Sequence, residues 1–303
     1  MRAALLRTID GPFELVDVPD PEPNGKVVVR IRAAGVNFAD ILIRRGRYPQ
    51  MPELPVVLGS EIAGELADGK RVMAFTPGAG GYAERVAVDR ERVVLLPERA
   101  TFSEGASFLL TFLTAYIPLT RQVKLQPGGT VLVHAGAGGV GTAAIQVARA
   151  LGARVVAAVG SAEKFATCRD LGAEEAYVYD EIPGDLRCDV VLDPVGGLVF
   201  SQGIARLRPL GTMVAIGFAG GLWPDVSPAG LVGRNVGVQG FYLGRLMRHE
   251  PEVVAAALAE LLALWESGVI RPLVGAELPL ADVEHAHELV ESRRSVGKVV
   301  LVP

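Results

Sequence analysis

The chain has 303 residues, half of them hydrophobic, and a formal net charge of −4. That length accommodates two domains with their own cores, and the acidic balance offers no general attraction to nucleic acid or to an anionic membrane. The two cysteines, Cys168 and Cys188, lack Cys-x-x-Cys spacing, which argues against a disulfide scaffold and a zinc ribbon and predicts buried, inert thiols.

Read in chain order, residues 1–112 are rich in β signals. The segment from Met1 to Arg7 runs straight into strand-like sequence, so no secretory leader is expected and the protein is expected to be cytoplasmic. Pro19 to Gly25 is a turn-rich connection, and Val27 to Arg32 reads as a strand. Arg71 to Phe75 and Ala83 to Val88 are further short strands, with Gly78-Ala79-Gly80-Gly81 as a turn between them. Residues 113–245 alternate strand and helix. The strands are Thr130–His134, Arg154–Val159, Ala176–Val178, Val190–Leu192 and Thr212–Ile216, an order that implies a parallel, doubly wound sheet. Residues 246–303 hold a helix from Val253 to Trp265, another around Ala281 to Glu291, and a closing strand at Val299–Val302. No apolar run is long enough to cross a bilayer without Gly, Pro or charge.

The most informative run is Val131 to Gly152. Gly136, Gly138 and Gly141 form G-x-G-x-x-G between an apolar strand and an amphipathic helix. Gly136 is expected to allow the tight turn, Gly138 the approach of a pyrophosphate, and Gly141 close packing of helix on strand. The N–H groups around Gly139, Val140 and Gly141 would then meet the diphosphate at the helix N-terminus. A plain structural turn is the competing reading. Dinucleotide folds selective for NAD place an acidic residue about 20 positions further on. Here Gly160 stands there, followed by Ser161 and, three positions later, Lys164. A hydroxyl and an ammonium suit a 2′-phosphate that a carboxylate would repel, so NADPH is the expected cofactor. The competing reading is that Glu163 and Lys164 begin a solvated helix.

Several further runs carry a resemblance along essentially the whole chain: Ala34-Gly35-Val36-Asn37-Phe38-Ala39-Asp40, Arg45-Gly46-Arg47-Tyr48-Pro49, Leu58-Gly59-Ser60-Glu61-Ile62-Ala63-Gly64, Gly81-Tyr82-Ala83-Glu84, Leu113-Thr114-Ala115-Tyr116 and Gly297-Lys298-Val299-Val300. With the glycine turn, they make the chain similar to the zinc-free medium-chain dehydrogenases/reductases, and within these to the quinone oxidoreductases, or zeta-crystallin-like enzymes. The resemblance implies an α/β protein with a Rossmann domain inserted into a GroES-like β-rich catalytic domain built from both chain ends. It also implies a homodimer, for which the alternating segment Asn235 to Phe241 is the candidate edge.

Zinc-dependent relatives carry Cys where this chain has Asn37 and His where it has Ser60; neither Asn nor Ser is a usual zinc ligand. Without a Lewis acid the site suits an electrophilic acceptor, a quinone or an α,β-unsaturated carbonyl, better than an alcohol. Asn37 and Tyr48 are the candidate donors to substrate oxygen, with an Asn turn residue and a ring packed beside Pro49 as the competing readings, and Asp40 a group that orients its neighbours. Relatives often place a Tyr two positions after this Asp, where this chain has Leu42. Glu61 is expected to pair with an Arg. By resemblance, Thr114 lies near the nicotinamide, and Tyr179 and Arg293 help hold the adenosine phosphate; Gly217 and Phe218, following an apolar strand, are expected to bring backbone amides to the nicotinamide carboxamide, with a flexible turn as the competing reading. A helix cap is the plainer reading for Thr114. His134 reads as a structural histidine, and His249, His285 and His287 as surface groups without metal partners. A nucleotide-binding crystallin-like or RNA-binding protein is the non-enzymatic alternative.

Overall fold

The computed structural model describes residues 1–76, 79–223 and 225–303. Gly78 of the expected glycine turn lies outside the described residues; within them, Gly80 takes φ +96°. Eight strands come first: β1 (Arg2–Leu6), β2 (Phe13–Asp17), β3 (Val27–Val36), β4 (Val56–Val57), β5 (Glu61–Glu65), β6 (Arg71–Phe75), β7 (Arg85–Val88) and β8 (Val93–Leu95). The middle of the chain adds β9 (Thr130–His134), β10 (Arg154–Val159), β11 (Glu175–Val178), β12 (Cys188–Asp193), β13 (Leu207–Ala215) and β14 (Gly237–Gly240), and the tail adds β15 (Val274–Pro279) and β16 (Lys298–Val302). The helices used below are α1 (Phe38–Arg44), α2 (Phe102–Gly105), α3 (Leu109–Ile117), α4 (Gly139–Ala150), α5 (Phe165–Asp170), α6 (Gly197–Ala205), α7 (Pro228–Arg234), α8 (Leu243–His249), α9 (Pro251–Glu266) and α10 (Val283–Glu291).

The chain divides into two compact units, Met1–Leu110 with Pro272–Pro303, and Thr111–Arg271. The second boundary lies well beyond the expected 245/246. Its cause is α9, whose Val254, Ala257, Leu261 and Trp265 are buried and whose Glu260 accepts a 2.6 Å bond from Tyr116 on α3. The helix read from the sequence at Val253 to Trp265 is therefore correct as an element and belongs to the second unit.

In the first unit the two chain ends meet in one mixed sheet, ordered β15-β16-β3-β5-β6-β8 among the described residues, with β7 also on β3. The antiparallel β3–β16 pairing sets Val36 against Val299 and Ala34 against Leu301. Apolar side chains alternate inward along these strands, so Ile31, Val36, Ile62, Val72, Val299 and Leu301 share one core with Ile41 of α1 and Leu58.

The second unit is a parallel sheet ordered β11-β10-β9-β12-β13-β14. The first strand in sequence, β9, sits centrally and the order reverses beside it, which is the doubly wound arrangement with a topological switch point. Every residue of β9 is buried, as expected for a parallel strand covered on both faces. The strands start earlier than the sequence suggests for β12 and β13, because pairing with their neighbours extends them past their most apolar stretch.

Candidate active site

The glycine run folds as a strand, a turn and a helix. Ala135 takes the left-handed conformation at φ 50°, so the turn's strain falls there and not on Gly136, as the sequence had suggested. Gly136 is required for a different reason: a Cβ on it would lie 2.9 Å from the Ala157 Cβ of β10. At Gly141 a Cβ would meet the Ala135 carbonyl oxygen at 2.1 Å, so only glycine lets α4 approach the turn. Gly138 is the N-cap and carries no side-chain cap; a Cβ there would meet nothing closer than 3.3 Å. The first intrahelical bond runs from the Thr142 N–H to Gly138 O at 2.9 Å. The N–H groups of Gly139, Val140 and Gly141 precede it and have no intrahelical acceptor, which makes this helix end attractive to an anion.

Tyr179 braces the turn, its hydroxyl accepting from the Ala135 N–H at 2.9 Å. That role was invisible in the sequence, because 44 residues separate the partners. His134 is buried and its Nδ1 lies 2.9 Å from Asp193 Oδ1. Asp193 also accepts from the N–H groups of Val195 and Gly196, at 3.0 and 2.9 Å. His134 is thus a satisfied structural group. At the end of β10, Gly160 is exposed and a Cβ on it would touch nothing within 4 Å. Ser161 and Lys164 follow in a short 3-10 turn, both half-buried; burial lowers the Lys164 pKa below the usual lysine range. Gly217 and Phe218 follow β13, and the Phe218 ring packs on Trp223 with centroids 4.7 Å apart. Thr114 is buried inside α3 rather than at its start, so it is no N-cap. The cysteine expectation holds: burial pushes the Cys168 and Cys188 thiols up to about 11.

In the first unit, Asn37, Asp40, Ser60, Glu61, Tyr82 and Lys298 form one buried polar cluster. Asn37 is the N-cap of α1 and ends the run of β3. The Asp40 carboxylate accepts from the Asn37 N–H at 2.9 Å, the Tyr82 hydroxyl at 3.0 Å and the Ser60 hydroxyl at 3.3 Å. Asp40 therefore orients its neighbours, although burial still pushes its pKa up. Tyr82, driven well above the usual tyrosine range by burial and then by Asp40, stays a neutral donor. Glu61 does not pair with an Arg. Its partner is Lys298, at 3.4 Å, and its other oxygen accepts from the Leu110 N–H at the start of α3 at 2.9 Å. Burial raises the Glu61 pKa against those two contacts. His287 is a correction too: it is 1% exposed, not a surface group, with its Nε2 3.3 Å from the Tyr82 hydroxyl. Tyr48 is half-buried and packs on the core of this unit. Arg293 is exposed and follows α10 in the left-handed conformation at φ 60°. Among the described residues no three His, Cys, Asp or Glu side chains are grouped as a metal would need, and no helix is long and apolar enough to cross a membrane.

Comparison with known proteins matches residues 23–98 to the alcohol dehydrogenase GroES-like domain and residues 139–262 to the zinc-binding dehydrogenase family. The quinone oxidoreductase of Thermus thermophilus, solved also in complex with NADPH, superposes with a TM-score of 0.92 at 41% identity over the whole of both chains. The chain belongs to the quinone oxidoreductase-like branch of the medium-chain dehydrogenases/reductases. Among curated family members, the human synaptic vesicle membrane protein VAT-1 homolog is 36% identical over 94% of this chain and 80% of its own length. The bovine quinone oxidoreductase-like protein 2 is 34% identical over 99% and 92% respectively. The chain is accordingly an oxidoreductase with a GroES-like unit and a Rossmann unit.

Proposed function

We propose that this protein is a zinc-independent, NADPH-dependent quinone reductase. The observation that carries the cofactor is the open end of β10: Gly160 leaves space, and Ser161 and Lys164 supply a hydroxyl and an ammonium where NAD-selective folds carry a carboxylate. The α4 N-terminus fits a diphosphate, with a side-chain-free N-cap and unspent N–H groups. The Thermus thermophilus relative's complex with NADPH supports the same choice. NADPH supplies a hydride; Asn37 and Tyr48 are proposed to face the acceptor's oxygen and Thr114, Gly217 and Phe218 the nicotinamide, with Tyr179 and Arg293 on the adenosine phosphate side.

Zinc does not fit the residues present. The Asn37 Oδ1 is taken by the Lys298 ammonium at 2.6 Å, and the Ser60 hydroxyl is turned to Asp40; a second cation beside that ammonium would be repelled. An acceptor that is already electrophilic, a quinone, needs no Lewis acid: hydrogen-bond donors suffice for the developing oxyanion. We further propose a homodimer joined at β14. This strand ends the parallel sheet; Leu210, whose N–H donates to the Asn235 carbonyl just before β14 at 2.6 Å, is 88% exposed, and Val232, five residues before the strand, is 76% exposed.

Steady-state rates with NADPH and NADH test the reading, with 1,4-benzoquinone, 9,10-phenanthrenequinone and a short 2-alkenal as acceptors. kcat/KM with NADPH should exceed that with NADH by at least about tenfold, or about 1.4 kcal/mol, and Lys164→Ala should narrow the gap by harming NADPH use alone. Equal efficiency with both cofactors overturns the cofactor assignment, and turnover of the alkenal without the quinones overturns the acceptor.

A further inference from the structure

A lysine lies buried in the first unit, on the closing strand β16 that pairs with β3. Lys298 is 4% exposed, and the sequence marks it only as part of Gly297-Lys298-Val299-Val300. Its ammonium donates to Asn37 Oδ1 at 2.6 Å and to Val36 O at 3.1 Å, and lies 3.4 Å from Glu61 Oε2. The cradle is built for it. Gly35 lies beside it, where a Cβ would come within 3.1 Å of the ammonium and 2.0 Å of the Ala106 carbonyl.

An ammonium has three donors and no acceptor, whereas an Asn amide has a donor end and an acceptor end. The cation therefore decides which way the amide faces, because the reversed amide would set N–H against N–H. The short contact to Lys298 is the strong end of Asn37. At the other end Nδ2 makes a long 3.3 Å bond to Gly35 O and faces the carboxylate of Glu61. A developing oxyanion is a better acceptor than a carbonyl at that distance.

We propose that Lys298 is a positioning residue for the acceptor site: its ammonium holds the Asn37 amide with the oxygen on the cation, so that Asn37 meets an acceptor only as an N–H donor. The inference rests on the proposed place of Asn37 at the acceptor. Lys298 would act through Asn37 and touch no substrate itself. If Lys298 only tied β16 to β3, its loss would lower stability without regard to which residue stands at position 37.

A double-mutant cycle separates the two. Lys298→Met alone leaves Glu61 buried without its counter-charge, so Lys298→Met/Glu61→Gln, which removes both charges at similar volume, is measured beside it. For each, with and without Asn37→Ala, kcat with a quinone, the NADPH Kd by fluorescence and the Tm are determined. The expected result is a kcat about tenfold lower in Lys298→Met/Glu61→Gln with NADPH Kd within about twofold of wild type, and no further loss on adding Asn37→Ala. Full kcat in Lys298→Met/Glu61→Gln overturns the inference, as does Asn37→Ala lowering kcat by the same factor in both backgrounds. If Asn37→Ala is harmless in the wild-type background, it is the placement of the acceptor that fails instead.

Discussion

His285 and His287 stand two positions apart on α10, yet one is exposed and the other sealed. The His287 ring packs edge-on against Phe13 and Tyr82, with centroids at 4.8 and 5.8 Å. Burial, then Arg44 and Arg45, push its pKa down to about 3. An unfolded histidine near its ordinary pKa of about 6.5 binds a proton that this folded one refuses. Its contribution to stability is therefore full above about pH 6.5 and is lost as pH falls toward about 3, at up to about 1.4 kcal/mol per pH unit. Urea midpoints of wild type and His287→Gln between pH 7 and pH 4 should show a shallower acid loss in the variant; parallel curves would mean that His287 does not carry it. The residue types Asn37, Asp40, Ser60 and Glu61 could be read off the sequence, as could the carboxylate's orienting role. The partner of Glu61 could not, because Lys298 lies 237 residues away and only the β3–β16 pairing brings it in.

At the scale of the element, the strand-turn-helix from β9 to α4 was legible because its signals are local: an apolar run, three glycines at fixed spacing, then helical periodicity. What the spacing did not reveal is which glycine does what. The tightest demand falls on Gly141, where the obstacle is a backbone carbonyl that cannot move aside. Gly141→Ala should cost about 1–3 kcal/mol as an overpacking change and weaken NADPH binding by displacing the α4 N-terminus. Gly184→Ala, at a position with nothing within 4 Å, should leave both unchanged. Chemical denaturation and NADPH fluorescence titration read the two effects; an unaffected Gly141→Ala would show that α4 can shift without consequence. The helix α9 was equally legible as an element, but its allegiance to the Rossmann unit was not, since that depends on the Glu260 contact to Tyr116.

For the whole molecule, an edge strand with apolar neighbours is exposed to pairing. A two-fold partner at β14 would cover it. Light scattering at micromolar concentration should give twice the 31.9 kDa chain mass, and Val232→Lys, at a 76% exposed position just before β14, should shift the protein toward monomer; a monomer mass for the wild type would remove the dimer. The sequence by itself determined the α/β class, the βαβ order and the residues of the glycine cradle, because each is encoded in periodicity and short-range spacing, and it pointed to the family through the resemblance of its motifs to known ones. Only the tertiary structure decided the register in which the two chain ends, expected by resemblance to share a domain, pair as β3 with β16, that His287 is buried, and that Lys298 reaches Asn37 and Glu61. Those are pairings between residues hundreds of positions apart, set by strand register and burial, for which a single sequence carries no local signal.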